Sequence, residues 1–400
     1  MKLLHIIHST DPAGGGPIEG LKQVSRVMDQ MGHSTVVATL DSPDAPWLNK
    51  LPFDVYALGP GKGRYGYSRH LAPWLKQNAQ RFDAVIVRGL WQYHGYAARK
   101  VLRKSGIPYF VFTHGMLDPW FKKTYPLKHA KKWLYWPWVD YRVLRDAAGV
   151  LFTSEEEKIL ARQSFWLYRC KEIVVNYGTA ALTGDVVLQK SVFFDHYPQL
   201  GGKRIALFLG RIHPKKGCDL LIQSFAQVLA KDPQWRLVIA GPDQVNWKEK
   251  LQVMAQKLGI ASLITWPGMI SGDLKYGAIQ GAEMFVLPSH QENFGIAVVE
   301  AMACGKPALI SNKVNIWREI EQDDAGIVAA DDLAGTCSVL NRWQSMSRED
   351  QRSMGERAQS CFEKRFEIRK SAESLIRVLS DAGASSGQSV YESSKLMPVS

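Results

Sequence analysis

Two glutamates, Glu292 and Glu300, stand with seven residues between them in the run Glu292-Asn293-Phe294-Gly295-Ile296-Ala297-Val298-Val299-Glu300. An ionised carboxylate only accepts hydrogen bonds. A pair of them repels phosphate and suits hydroxyl groups. The run follows an apolar, strand-like stretch from Ala282 to Pro288 and opens a helix-like stretch from Gly295 to Cys304. Open α/β sheets bind ligands where a strand feeds a helix. The helix N-terminus adds unpaired N–H groups and partial positive charge, which favour phosphate. A diphosphate with a polyol at each end, a nucleotide-sugar, meets both demands.

Other candidates sit on similar turns. Gly210-Arg211-Ile212-His213-Pro214-Lys215-Lys216-Gly217 closes an apolar strand, so Arg211 (a fork) and Lys216 (a point charge) can converge on a diphosphate. A solvated basic loop is the plainer reading of such a cluster, and placement after a buried strand favours function. Gly14, Gly15 and Gly16 follow the first strand and allow close approach of a phosphate or sugar, or simply make a flexible turn. His114, before Gly115 at a strand end, could bond a sugar hydroxyl or developing charge, although a lone His is more often a turn cap. Arg88 to His94 ends a neighbouring strand, where packing of Trp91 explains most of the signal.

Positioning these groups requires alternating strands and helices. Strands are expected at 2–8, 34–40, 83–88, 107–113, 148–153 and 172–176. Ile18, Leu21, Val24, Val27, Met28 and Met31 recur at helical spacing between the first two, and Gly32 ends that helix. Gly- and Pro-containing 178–203 reads as a linker. The rhythm then restarts, with strands at 204–210, 236–240, 263–266, 283–287 and 307–311. The fold class is therefore α/β, with two Rossmann-like, doubly wound domains facing across a cleft. Residues 348–381 read as helical and 383–400 as a disordered, Ser/Gly-rich tail.

The chain has 400 residues, 46% hydrophobic and 22% charged, which is ordinary globular usage. No apolar run of about 18 residues occurs, so no transmembrane helix is expected. Five cysteines without C-x-x-C spacing argue for a reducing compartment and against a disulfide framework or zinc site. The cytoplasm is the expected location. The net charge of +12 suits solubility or an anionic partner. Lys122 to Arg145 mixes bases with Trp133, Trp136 and Trp138, a pattern for anionic lipid head groups as well as for a helix that buries its aromatics. Pro126 and Pro137 argue against one long helix there.

Together these motifs resemble the retaining GT-B glycosyltransferases of family four, the glycosyl transferases group 1. The paired glutamates match that family's E-x7-E motif; Gly210-Arg211 with Lys216-Gly217, the glycine loop at 14–16 and His114-Gly115 support it. The resemblance spans roughly residues 1–380. It implies an N-terminal, acceptor-side domain over 1–180, a nucleotide-sugar domain over 181–361, and a helix near 362–381 crossing back to the first. It implies that Glu292 binds donor-sugar hydroxyls, that Glu300 holds the ribose, and that the amides of Phe294 and Gly295 serve sugar or phosphates. Arg211 and Lys216 would neutralise the leaving diphosphate, without a metal, and His114 would contact the donor sugar. The implied activity is retaining transfer from a nucleoside-diphosphate-sugar, a substrate rather than a cofactor, to a saccharide or lipid-linked saccharide in polysaccharide biosynthesis. An anionic membrane surface is a further expected partner, with peripheral attachment at the inner face; nucleic acid is not expected.

Two departures from the family pattern occur, and the first bears on donor-sugar preference. Asn293 stands where the family usually has Gly, and Asn176-Tyr177-Gly178-Thr179 replaces the usual N-G-[IV]-D exit. A nucleotide-dependent dehydrogenase or epimerase would need G-x-G-x-x-G after the first strand, which is absent. A non-catalytic membrane- or nucleic-acid-binding α/β protein would leave Arg211, Lys216 and both glutamates without a role.

Overall fold

A computed structural model describes residues 1–12, 16–181 and 184–393. The chain forms two compact units: Met1–Thr179 with the stretch from Ile368 onward, and Ala180–Glu367.

The first unit holds seven strands: β1 (Lys2–Ile7), β2 (Ser34–Thr39), β3 (Asp54–Ala57), β4 (Ala84–Arg88), β5 (Tyr109–Phe112), β6 (Gly149–Phe152) and β7 (Glu172–Val174). They pair in parallel in the order β3-β2-β1-β4-β5-β6-β7. Both faces are covered, so the strands read as near-continuous apolar runs. Leu4 and Ile6 enter one core with Val85 and Val87, while Leu3 and Ile7 enter the other with Ala84 and Ile86. That second core also takes Ile18, Leu21, Val24 and Met28 of the helix Gly16–Gln30, and Ala372, Leu375 and Leu379 of the long helix Ile368–Ser393.

The second unit holds β8 (Arg204–Leu209), β9 (Trp235–Ala240), β10 (Ile264–Gly268), β11 (Met284–Leu287), β12 (Ala308–Ser311) and β13 (Gly326–Ala329). The order is β10-β9-β8-β11-β12-β13, again all parallel. Connections therefore run outward in one direction from β8 and in the other from β11. The topological switch point lies between those two strands, and the carboxyl ends of strands at such a point are where open α/β sheets bind ligands. In the first unit the same reversal falls between β1 and β4.

Three differences from the sequence reading have physical causes. The segment 178–203 is not a plain linker: Val186–His196 is helical, started by Asp185, whose side chain accepts from Val187 and Leu188 N–H. It was illegible because Val187 and Leu188 are exposed and break the apolar spacing. The helix rests on glycines instead: a Cβ on Gly277 would meet the Gln189 carbonyl oxygen at 2.0 Å. Second, β3 and β13 are short edge strands and were not anticipated. Third, the helix expected from about 362 starts at Ile368, after a wide π-type turn over Phe362–Phe366. It continues through Ser393, into the segment read as a disordered tail; 394–400 lies outside the described residues. Among the described residues no helix is long and apolar enough to cross a membrane.

Candidate functional site

In the second unit the loops leaving β8 and β11 meet. After β8 the chain makes a short 3-10 turn over Pro214–Lys216, with the His213 ring accepting from Lys215 N–H. Gly217 follows at φ 67, a left-handed conformation that favours glycine. Its position is also sterically closed, since a Cβ there would lie 2.1 Å from the Pro288 carbonyl oxygen at the end of β11. That approach lets the Lys215 carbonyl accept from His290 N–H (2.7 Å) and Ser289 Oγ (3.0 Å). The second loop is tied in turn to the loop after β12. Glu292 N–H donates to the Lys313 carbonyl (2.9 Å), and Asn315 N–H to the Glu292 carbonyl (3.0 Å).

The result is a contact between two residues 76 positions apart: the Lys216 ammonium is ion-paired with the Glu292 carboxylate. Lys216 is buried, and burial with Lys215 and Arg211 nearby works against its charge. Glu292 works for it. Arg211 is exposed at the same strand end and acts electrostatically on Lys216. The loop therefore gathers three cations, Arg211, Lys215 and Lys216, with the Glu292 carboxylate on the last, a setting that favours a bound anion.

Gly295, at φ 79, turns the chain into the helix Ile296–Ala303. Asn293 Oδ1 lies 3.5 Å from Asn315 Nδ2, and Phe294 is buried against Phe366. Glu300 is about one turn along the helix. One carboxylate oxygen is held by Lys275 Nζ at 2.8 Å, and that carboxylate raises the lysine pKa against the opposing effect of burial. Lys275, on the helix Gly272–Gly281, was not singled out from sequence; a lone Lys in a polar helix carries no signal of a partner 25 residues on. The same holds for Asp331, which accepts from the His290 ring at 3.0 Å.

In the first unit the structure places His114 at the exit of β5, at φ 47. Its ring stacks on Phe112 (centroids 5.2 Å apart), and Nε2 lies 3.5 Å from Arg88 Nη1. Burial and the Arg88 charge push its pKa down to about 3, so the imidazole is neutral at physiological pH. Arg88 itself is buried, with Nε donating to His5 Nδ1 at 3.1 Å. That bond requires the His5 tautomer protonated at Nε2. An Nε2 facing a guanidinium acts as acceptor, so the His114 ring proton belongs on Nδ1.

The β5 exit is clamped by Glu157, a buried carboxylate that accepts from Thr113 Oγ1 (2.6 Å), Gly115 N–H (2.6 Å), Thr153 N–H (2.8 Å) and Thr153 Oγ1 (2.7 Å). Sequence offered one clue: Ser154-Glu155-Glu156-Glu157 has capping-box spacing, and Ser154 does cap this helix. The glutamate, however, turns to the strand ends. Gly16 opens the first helix, whereas Gly14 and Gly15 lie outside the described residues.

Comparison with known proteins matches residues 15–178 to the family model for glycosyl transferase 4-like domains and residues 190–360 to that for glycosyl transferases group 1. A D-inositol 3-phosphate glycosyltransferase from Segniliparus rotundus is 31% identical over 183 residues, 44% of this chain. That match spans only 39% of the relative's length. A GDP-mannose:cellobiosyl-diphosphopolyprenol alpha-mannosyltransferase from Xanthomonas oryzae pv. oryzae is 28% identical over 82% of this chain and 83% of its own. Among solved structures, a sucrose-phosphate synthase from Thermosynechococcus elongatus superposes with TM-score 0.78, at 18% identity, over 96% of this chain and 99% of that one. That likeness establishes a shared fold.

Proposed function

Because the chain belongs to the group 1 glycosyltransferases of the GT-B fold class, we propose that it transfers a sugar from a nucleoside-diphosphate-sugar to a saccharide carried on a lipid. The observation that carries this reading is the Lys216–Glu292 pair at the switch point between β8 and β11, with Arg211 beside it. In the free protein the lysine charge is held by Glu292. On donor binding the diphosphate takes over that charge, and the freed carboxylate accepts from sugar hydroxyls. Both changes favour the transition state, in which negative charge grows on the departing diphosphate.

Glu300, with one oxygen on Lys275, presents its carboxylate to the ribose diol. The amides of Phe294 and Gly295 serve phosphate or sugar, and Asn293, in place of the glycine usual in the resembled motif, adds a side-chain contact. His114 serves the sugar through a neutral imidazole. Retention of configuration follows the resemblance stated above. It is proposed to proceed on one face of the sugar, with the leaving phosphate taking the acceptor's proton, so no nucleophilic carboxylate and no metal is assigned. Gly15 and Gly16 are proposed to let a phosphate or sugar approach the backbone closely. The lipid carrier is favoured by the relative whose name specifies a diphosphopolyprenol acceptor. An exposed apolar and basic helix also favours attachment to an anionic membrane face: Leu127, Leu134 and Trp138 are exposed beside Lys128 and Lys131.

Calorimetric titration with UDP, GDP and ADP tests the donor site. One of them should bind, and Glu300→Ala should weaken it about tenfold, the loss expected for ribose hydroxyls without their charged acceptor. Equal affinity in the variant would remove the site assignment.

A further inference from the structure

The helix Pro126–Tyr135 has two working faces. Leu127, Lys131 and Leu134, spaced by helical turns, point outward; Leu127 is 81% and Leu134 72% exposed. Lys128 and Lys132, one turn apart, lie on another face, and with His129 they line a small, partly open recess. Its remaining wall is largely aromatic: Trp91, Phe121, Tyr125 and Phe165.

The charge in this recess is unusual. Lys132 Nζ lies over the Trp91 ring at 4.3 Å and Lys128 Nζ over Tyr125 at 4.7 Å. Neither forms an ion pair among the described residues. The carboxylate that acts on Lys132, Asp140, instead accepts from Trp91 N–H at 3.2 Å. Trp91 is itself held at φ 72, a conformation bulky residues rarely adopt. Two lysines thus rest on aromatic faces at the recess, with no hydrogen-bonded protein partner for either ammonium among the described residues. An apolar ligand alone would leave those charges uncompensated, and a hydrophilic anion alone would leave the rings unused.

We propose that this recess binds the junction of a lipid-linked acceptor, with Lys128 and Lys132 on its diphosphate and the aromatic wall around the first isoprenoid units of its chain. The outward face of the same helix lies in the membrane surface and delivers the lipid edge-on to the recess. This assignment deepens the transferase reading and rests on it for the identity of the ligand as an acceptor. Binding itself is measurable without any sugar transfer.

The experiment is calorimetry on the full chain with three soluble probes: farnesyl diphosphate, farnesol and inorganic diphosphate. Farnesyl diphosphate should bind at least about tenfold more tightly than either half-molecule. Lys132→Gln should weaken it about tenfold, and Lys128→Gln, at a more exposed position, by a similar or smaller factor. Both variants should keep wild-type affinity for the nucleoside diphosphate. Unchanged farnesyl diphosphate affinity in both variants overturns the proposal, as does equal affinity for inorganic diphosphate, which would indicate a merely basic surface. Loss of nucleoside-diphosphate binding in the wild type would instead strike the donor-site reading and leave the recess standing.

Discussion

Gly217→Ala tests whether the close approach of the β8 and β11 loops builds the donor site. Two costs combine at this position. The left-handed backbone, φ 67, costs an alanine about 1–2 kcal/mol. The new Cβ also falls 2.1 Å from the Pro288 carbonyl oxygen, against an ordinary contact of 3.4 Å or more. Because that atom is backbone, the loops must part by about 1 Å or more, which adds about 1–3 kcal/mol of the overpacking kind. Lys216 and Glu292 flank this point, so their pairing opens with it. A displacement of that size can cost on the order of a hundredfold in turnover. Gly259→Ala supplies the control. Gly259 has φ 71, ends the helix Lys248–Lys257, and has nothing within 4 Å of a built Cβ. It should lose only the conformational term, about 1–2 kcal/mol or a few degrees of melting temperature. Its turnover should be that of the wild type. Thermal melting, donor calorimetry and initial rates on both variants separate the terms. Equal melting shifts with full turnover in Gly217→Ala would refute the reasoning, because the steric term and its effect on the site would then be absent.

Lys216→Ala should leave a chain that folds but turns over at least about a hundredfold more slowly, with a smaller loss in donor affinity, since its charge is used chiefly as the diphosphate departs; a change confined to KM would count against that role. His94 is buried, and burial holds its pKa at about 4, below the 6.5 of a free histidine. The unfolded chain therefore takes up a proton that the folded one refuses: the contribution of His94 is complete above pH 6.5 and declines as pH falls toward 4, by at most about 3 kcal/mol. The melting difference between wild type and His94→Gln should shrink over that window, and a pH-independent difference would contradict it. For the membrane face, Leu134→Asp should reduce sedimentation with anionic vesicles severalfold, and added salt should release the wild type; equal recovery of both proteins with neutral vesicles would dismiss charge as the cause.

What could be read from the chain divides along a physical line. The Glu292–Glu300 run, the Arg211–Lys216 loop and the His114 turn each lie within a few residues of a buried parallel strand. Strands covered on both faces announce themselves as apolar runs, and the loops that follow them are where ligands bind. Groups whose meaning depends on a distant partner gave no such signal. Lys275 looks like any helix-surface lysine until Glu300 is seen beside it. Arg88 ends a strand in an ordinary way, yet it sits buried on His5, 83 residues earlier. Glu157 has the spacing of a helix cap, and its carboxylate instead ties β5 to β6 through four short bonds.

The stretch from Lys122 to Arg145 shows the same division inside one segment. Its composition suggested both lipid contact and buried aromatics, and the fold divides its aromatics between buried and exposed positions. Trp136 is fully buried and stacks on Phe165 at 4.3 Å, while Trp138 is 67% exposed. Two tryptophans two positions apart thus take opposite environments because the helix ends at Tyr135 and Pro137 prevents its direct continuation.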